Sequence, residues 1–381
     1  MKKRSRYSNA SIPNLTMGID LGDRRSRVYV VDASGERVAE GWASTTREGL
    51  CKWFGKYAGA RVVMETGTHS PWASRLAEES GHETFVANPS ELYGPKRRKR
   101  RNDKLDAEKL ARLGRADPAL LYPIRHRGEE AQADLAVLRS RDQLVQARTQ
   151  MVSHVRSTVK SIGERLPKCD TGVFARRMRE ALPEQLRPAL EPVVEQIAAL
   201  TEAIDRFDLM IEREMERKYP ETERLRQVKG VGSLTAMAYV LVLEDPARFP
   251  RVREVGSHVG LVPRLDDTGN SQPQLRITKA GDELLRRYLV QAAHYILGPF
   301  GPDTDLRRWG MALAERGGKN AKKRAAVAVA RKLSVLLMRL WASGAVYEPL
   351  RNALAREQAH AGQRVPAEMG NRSARAEAQV A

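Results

Sequence analysis

Apolar and polar positions alternate tightly over the first quarter of the chain. Residues 16–21 form a short apolar run interrupted by Asp20, residues 22–25 a polar turn, and residues 26–32 a second apolar run. That pattern predicts a strand, a tight turn and a second strand. Residues 37–45 alternate as a third strand, and residues 46–57 predict a helix with Leu50, Trp53, Phe54 and Tyr57 on one face. Arg61, Val62, Val63 and Met64 lead to Glu65, a buried strand whose only carboxylate stands at its carboxyl end. Open α/β sheets place ligand-binding groups there. A helix over 70–80 and a strand over 83–87 complete a mixed α/β domain. Taken singly, Asp20 and Glu65 each read as the polar end of a strand.

Past residue 128 the period changes. Leu135, Leu138, Leu144, Val145, Val152, Val155 and Val159 follow helical spacing, and Val193, Ile197, Leu200, Ile204, Phe207 and Ile211 alternate steps of four and three. The second series is a heptad seam and predicts a coiled coil, within one chain or between two. Residues 167–188, with Cys169, Asp170 and Gly172, read as the break between the two helices. Lys229, Gly230 and Gly232 sit in a turn between two further helices, an arrangement that presents backbone N–H groups to phosphate in helix-hairpin-helix DNA binders. After a polar loop over 263–281 comes an amphipathic helix with Leu284, Leu285, Tyr288 and Leu289, and later a helix with Val327, Val329, Leu333, Leu336 and Leu337. From about residue 353 the apolar period is lost, which predicts a disordered tail. The expected organisation is a basic N-terminal tail over 1–15, an α/β domain over 16–125, a helical coiled-coil linker over 126–220, a mainly α domain over 221–350 and a tail over 351–381.

Charge narrows the partners. A formal net charge of +19 over 381 residues points to polyanions, with nucleic acid first among them. No apolar run approaches the roughly 20 residues that span a bilayer, so no membrane partner is expected. The basic N-terminus lacks the apolar segment of a secretory signal. Cys51 and Cys169 are the two cysteines, too few for a disulfide framework or a cysteine-based zinc site, and a cytoplasmic location fits.

Within this charge, Lys96, Arg97, Arg98, Lys99, Arg100 and Arg101 form the densest basic run, and Asp103 and Asp106 follow it at a helix start. Residues three apart on a helix share a face. Asp20, Glu65, Asp103 and Asp106 therefore form a candidate cluster of four carboxylates, two on strands and two on a helix. Four anions held close repel one another, and divalent cations bound by oxygen ligands resolve that repulsion. Paired Mg²⁺ ions suit phosphodiester chemistry, with the basic run holding the substrate's phosphates. In the second half, Arg276 and Lys279 close the polar loop, while Lys319, Lys322, Lys323 and Arg324 precede or open a helix whose dipole they oppose, so an anion is expected there. Thr268 and Ser271 in the loop read either as turn residues or as hydroxyl nucleophiles.

Three stretches together carry a family resemblance: Gly18 to Gly22 (Gly-Ile-Asp-Leu-Gly), Met64 to Gly67 (Met-Glu-Thr-Gly), and Asn102 to Ala107 (Asn-Asp-Lys-Leu-Asp-Ala). In residues and spacing they resemble the RuvC-like domain of DEDD-type insertion-sequence transposases. The resemblance implies a ribonuclease-H-like fold with Asp20, Glu65, Asp103 and Asp106 as a metal-binding tetrad for Mg²⁺. The stretch from Gly260 to Gly281 resembles the C-terminal domain of the same transposases, which carries a serine immediately before a glycine. Here Thr268 precedes Gly269, so either Thr268 acts, Ser271 substitutes for it, or the site is impaired. The family implies a DNA recombinase that binds element ends and target, forms a covalent protein–phosphate intermediate, works as a homo-oligomer (dimer or tetramer) with a composite site, takes a structured guide RNA, and acts on the bacterial nucleoid. A metal-dependent Holliday-junction-type endonuclease and a catalytically impaired nucleic-acid binder are the alternatives. The Asp-Leu-Gly opening is also similar to that of sugar kinases, which lack the Asp-x-x-Asp helix.

Overall fold

The computed structural model describes residues 14–89, 92, 103–265, 271, 273 and 275–352, without the side chains of Asp103, Lys104 and Glu214. The basic run from Lys96 to Arg101, Thr268, most of the expected N-terminal tail and all but two residues of the expected C-terminal tail lie outside the described residues. The chain divides after Arg127 into two compact units.

In the first unit, β1 (Leu15–Asp20), β2 (Arg25–Asp32) and β3 (Arg37–Ser44) run antiparallel in turn, joined by short polar turns. Parallel neighbours need a crossover, and helices supply it. Helix α1 (Arg47–Lys56), capped by the Thr46 hydroxyl accepting from the Gly49 amide, leads to β4 (Arg61–Glu65), and α2 (Ser70–Glu79) leads to β5 (Glu83–Ala87). The five strands lie in the order β3-β2-β1-β4-β5, so β1 is central. One face packs Met17, Ile19, Val28, Val30, Val62 and Met64 against Leu50, Phe54, Ala73 and Ala77 of α1 and α2. The other face is covered by α3 (Asp103–Ala116). Burial on both faces explains why β1 and β4 read as nearly unbroken apolar runs.

Contact between α3 and β1 is made by small residues. A Cβ built on Gly18 would overlap the carbonyl oxygen of Ala107 and stand 2.5 Å from the Ala111 amide nitrogen, so the helix lies directly on the strand backbone. Gly114, further along α3, meets Thr16 near the start of β1 and Val63 of β4, and its carbonyl accepts from Arg61 at the start of β4. Helix and strand therefore run in opposite directions, and the first turn of α3 points to the carboxyl ends of β1 and β4.

The second unit is helical. Two long helices, α4 (Glu129–Ser161) and α6 (Arg187–Met210), pack along each other, with α6 continuing as a π-helical turn over Ile211–Met215. The expected break between them contains a helix of its own, α5 (Phe174–Ala181), whose Phe174 and Met178 are buried with Val155, Val159, Leu190, Val194 and Ile197. Leu190, Ile197, Ile204 and Ile211 form one buried row of α6 and its continuation; Val194 is buried beside it, and Val193, Leu200, Thr201, Phe207 and Asp208 are half-buried. Arg148 donates to Thr201, and Arg141 grips Asp208 with two hydrogen bonds, one of 2.9 Å. Polar pairs thus join α4 and α6 beside the apolar row.

Helices α7 (Glu221–Arg226) and α8 (Ser233–Leu243) follow, and all residues of α8 from Thr235 on are buried. Around α8 pack α4, α7 and α9 (Glu283–Leu297); α9 in turn packs on α10 (Asp305–Glu315) and α11 (Ala321–Ser343). The Tyr239 hydroxyl donates to the carbonyl of Ser334, which ties α8 to α11. Among the described residues no helix is long and apolar enough to cross a membrane.

Gly18→Ala is expected to destabilise the first unit by about 3 kcal/mol, the range for overpacking against atoms that cannot move aside. Amide exchange in α3 measures it; exchange in β1 and α3 as slow as in the parent chain would contradict the backbone contact.

Candidate active site

The register of the parallel strands aligns the two strand carboxylates. Thr16, Met17, Gly18 and Ile19 pair with Arg61, Val62, Val63 and Met64, so the next step brings Asp20 level with Glu65 on the neighbouring strand. Side chains alternate between faces, which places Asp20 with Gly18, and Glu65 with Val63, on the side that α3 covers. Ala107 lies over Gly18. Asp103 precedes Ala107 by four residues, about 6 Å of helix, and Asp20 follows Gly18 by two, about 6.6 Å of strand. The start of α3 therefore reaches the level of Asp20 and Glu65, with Asp106 beside Ala107 and in row with buried Leu110. Asp20, Glu65 and Asp106 are each half-buried. Among the described residues no three Asp, Glu, His or Cys side chains form a group that could hold a metal, and the Asp103 side chain is outside that set. Carboxylate oxygens are the donor type that a hard divalent cation takes.

Two histidines line the loop after Glu65, and neither stood out in the sequence. Trp72 Nε1 donates to His69 Nδ1 at 3.1 Å, and His69 Nε2 is 3.8 Å from the carboxylate of Asp23 in the β1–β2 turn. The buried Ser70 hydroxyl lies 2.8 Å from His126 Nε2 and accepts from the Gly67 amide at 2.9 Å. Burial, together with the positive charges of Arg75 and Arg127, pushes His126 down to about 4. Only a contact across 56 residues reveals this lock, and local spacing carries no sign of it.

In the second unit the polar loop rises from a narrow base. Arg264 donates to the Arg276 carbonyl and Thr278 to that of Val262, each at 2.9 Å, so the feet of the loop run antiparallel. Gly260 (φ +69) and Gly281 (φ +78) sit where any Cβ would overlap the carbonyls of Ala280 and His258. Asp282 then caps α9 through the Leu285 amide and accepts from Arg139 at 2.8 Å, and Arg287 meets Asp142 at 2.6 Å. The long helix α4 is thereby bolted to the foot of the loop. Ser271 is exposed, as are Arg276 and Lys279, whereas Thr268 lies outside the described residues. Lys229 is exposed in the α7–α8 turn, with Gly230 packed on Tyr295 and Ile296 of α9 and Gly232 next to open space. Lys319, Lys322, Lys323 and Arg324 are all exposed at and just before the start of α11.

His126 makes the first unit acid-sensitive in a defined window. Its folded-state value lies below the unfolded value near 6.5, so the unfolded chain binds the extra proton and stability is lost as pH falls from about 6.5 toward 4. Urea midpoints across that range check this, and His126→Gln should flatten the slope; an unchanged slope would count against it.

Two family models match the chain: the DEDD-type IS110 model, described as a transposase, over residues 17–164, and the model described as transposase IS116/IS110/IS902 family over residues 222–304. The transposase for insertion sequence element IS1111A of Coxiella burnetii is 30% identical over 291 residues, covering 73% of this chain and 77% of that protein. The transposase for insertion sequence element IS1328 of Yersinia enterocolitica is 27% identical, over 74% of this chain and 84% of that one. A probable family 20 transposase of Pseudomonas aeruginosa is 27% identical over 87% of this chain and 98% of its own length. The mixed sheet fits an α/β nuclease-like domain followed by a helical one, and the chain belongs to the DEDD-type IS110 family of insertion-sequence transposases, which act as DNA recombinases.

Proposed function

We propose that this transposase cuts and rejoins DNA with Asp20, Glu65, Asp103 and Asp106 as the ligands of Mg²⁺ in a ribonuclease-H-like (RuvC-like) domain, and with a hydroxyl of the 263–281 loop as the nucleophile. As a transposase it binds DNA, and its DEDD family implies a divalent-metal-dependent nuclease-like site. The observation that carries the reading is the level placement of Asp20 and Glu65 on adjacent parallel strands, with the start of α3 drawn over them by Gly18. When bound, the metal supplies positive charge for the phosphate oxygens. The four carboxylates hold it and set its position.

The attacking oxygen belongs to Thr268 or Ser271. It forms a phosphoester to the protein as the DNA phosphorus–oxygen bond breaks, and its proton passes to the departing DNA oxygen. Register with the family's Ser-Gly pair favours Thr268, while Ser271 is the serine within the loop. Basic residues at Lys96 to Arg101, Lys229, Arg276, Lys279, Lys319 and Lys322 to Arg324 hold phosphates of the nucleic acid, with the α7–α8 turn acting as a helix-hairpin-helix element. The chain works as a homo-oligomer, with the α4–α6 coiled-coil pair available for assembly, and takes a structured guide RNA, with which the charge of +19 is compatible.

Asp20→Ala and Asp103→Ala should each lower strand exchange at least about a hundredfold, since loss of even an outer-shell partner costs ten- to a hundredfold, while DNA binding persists. A nicked substrate should trap a protein–DNA adduct on denaturing gels, lost in Thr268→Ala or Ser271→Ala and located by mass spectrometry. Retained exchange in Asp20→Ala would sink the tetrad; cleavage with no adduct would instead favour a metal-dependent endonuclease.

A further inference from the structure

The carboxylate row does not stop at β1. Asp20 pairs across the antiparallel strands with Arg27, and Arg27 pairs with Trp42 on the edge strand β3. Directly paired residues share a face of the sheet. Trp42, Arg27, Asp20 and Glu65 therefore stand in line on the face that α3 covers further back, Trp42 about 10 Å from Asp20 at two strand spacings. The faces are consistent throughout: a Cβ on Gly41 would press on Trp53 of α1, on the opposite side from Trp42.

The two residues are arranged as a platform. The Arg27 guanidinium lies 5.2 Å from the centre of the Trp42 ring. Trp42 is 50% exposed, which leaves much of its surface open to solvent, whereas the Arg27 side chain is only 13% exposed. Glu40 lies 3.5 Å from Arg27 and 3.6 Å from Arg37, so one carboxylate is shared by two guanidiniums. Arg27 Nε is buried without an acceptor among the described residues. The exposed indole offers a flat face on an edge strand, and the guanidinium beside it adds positive charge to that face.

We propose that Arg27 and Trp42 form a nucleotide subsite for the DNA strand being cut, the guanidinium taking a phosphate next to the reacting one and the indole stacking on a base. Arginine beside an aromatic face is the pairing that holds single-stranded nucleic acid without reading sequence. DNA is the occupant because the platform continues the row of carboxylates assigned to DNA cleavage, and the inference rests on that assignment. Arg27 positions the strand through its phosphate and Trp42 fixes the base, so the pair governs how the strand enters.

The test uses the full chain co-expressed with its own element. A nicked duplex of the element end, carrying 5-iododeoxyuridine near the nick, is crosslinked in EDTA, and the adduct is mapped. The expected result is a crosslink at Trp42, lost in Trp42→Ala and kept in Trp42→Phe. In Mg²⁺, Arg27→Gln and Trp42→Ala should raise KM for cleavage about tenfold with kcat less affected, the loss of one stacked base or one phosphate contact, and Arg27→Lys should recover part of it. Asp20→Ala should abolish cleavage yet keep the crosslink. A crosslink formed only by an iodouridine RNA from the element would assign the platform to RNA and overturn the proposal. So would an absent crosslink together with parental KM in both variants. Normal cleavage by Asp20→Ala would remove the tetrad alone, because the crosslink at residue 42 is read without metal.

Discussion

The closest constraint in the first unit is the contact between the backbone of α3 and the backbone of β1 at Gly18. Because no side chain stands between them, hard-sphere repulsion fixes the helix along the strand, with little room for adjustment. That contact fixes how the helix lies over two parallel strands. It directs the start of α3, the positive end of a helix dipole, toward the carboxyl ends of β1 and β4, where Asp20 and Glu65 stand level on neighbouring strands.

The second unit shows the same logic built from different parts. A helix buried on nearly every side, α8, leaves no solvent face and so reads in the sequence as an uninterrupted apolar run. The 263–281 loop is held at its base by two glycines in backbone contact and by ion pairs from α4 to both ends of the first turns of α9. Motif glycines at 260 and 281 are therefore structural parts of the loop's foot, while the hydroxyls lie farther along the chain.

The first unit was legible because its strands are short, apolar and punctuated by polar turns, so alternation located every one of them. The acids could be proposed as partners since two stand late in predicted strands and two at the start of a helix. What stayed hidden depends on who faces whom. Trp42 and Arg27 join Asp20 only through cross-strand register, and Ser70 meets His126 across the fold. In the helical half, apolar periodicity carried no sign that Thr201 and Asp208 take partners from α4. The short α5 escaped notice because few apolar residues, Phe174, Ala175, Met178 and the capping Leu182, anchor an arginine-rich segment.

Those polar pairs have a consequence for how the two long helices recognise each other. An all-leucine interface tolerates sliding by a heptad, since one apolar layer substitutes for another. Here Arg141 and Arg148, spaced by seven, find Asp208 and Thr201 at the same interval, and a displaced alignment would trade the carboxylate for a weaker hydroxyl or strand a guanidinium in an apolar layer. The hairpin thus carries an address as well as an adhesive, and mismatched pairings of α4 and α6 are rejected by an unsatisfied charge.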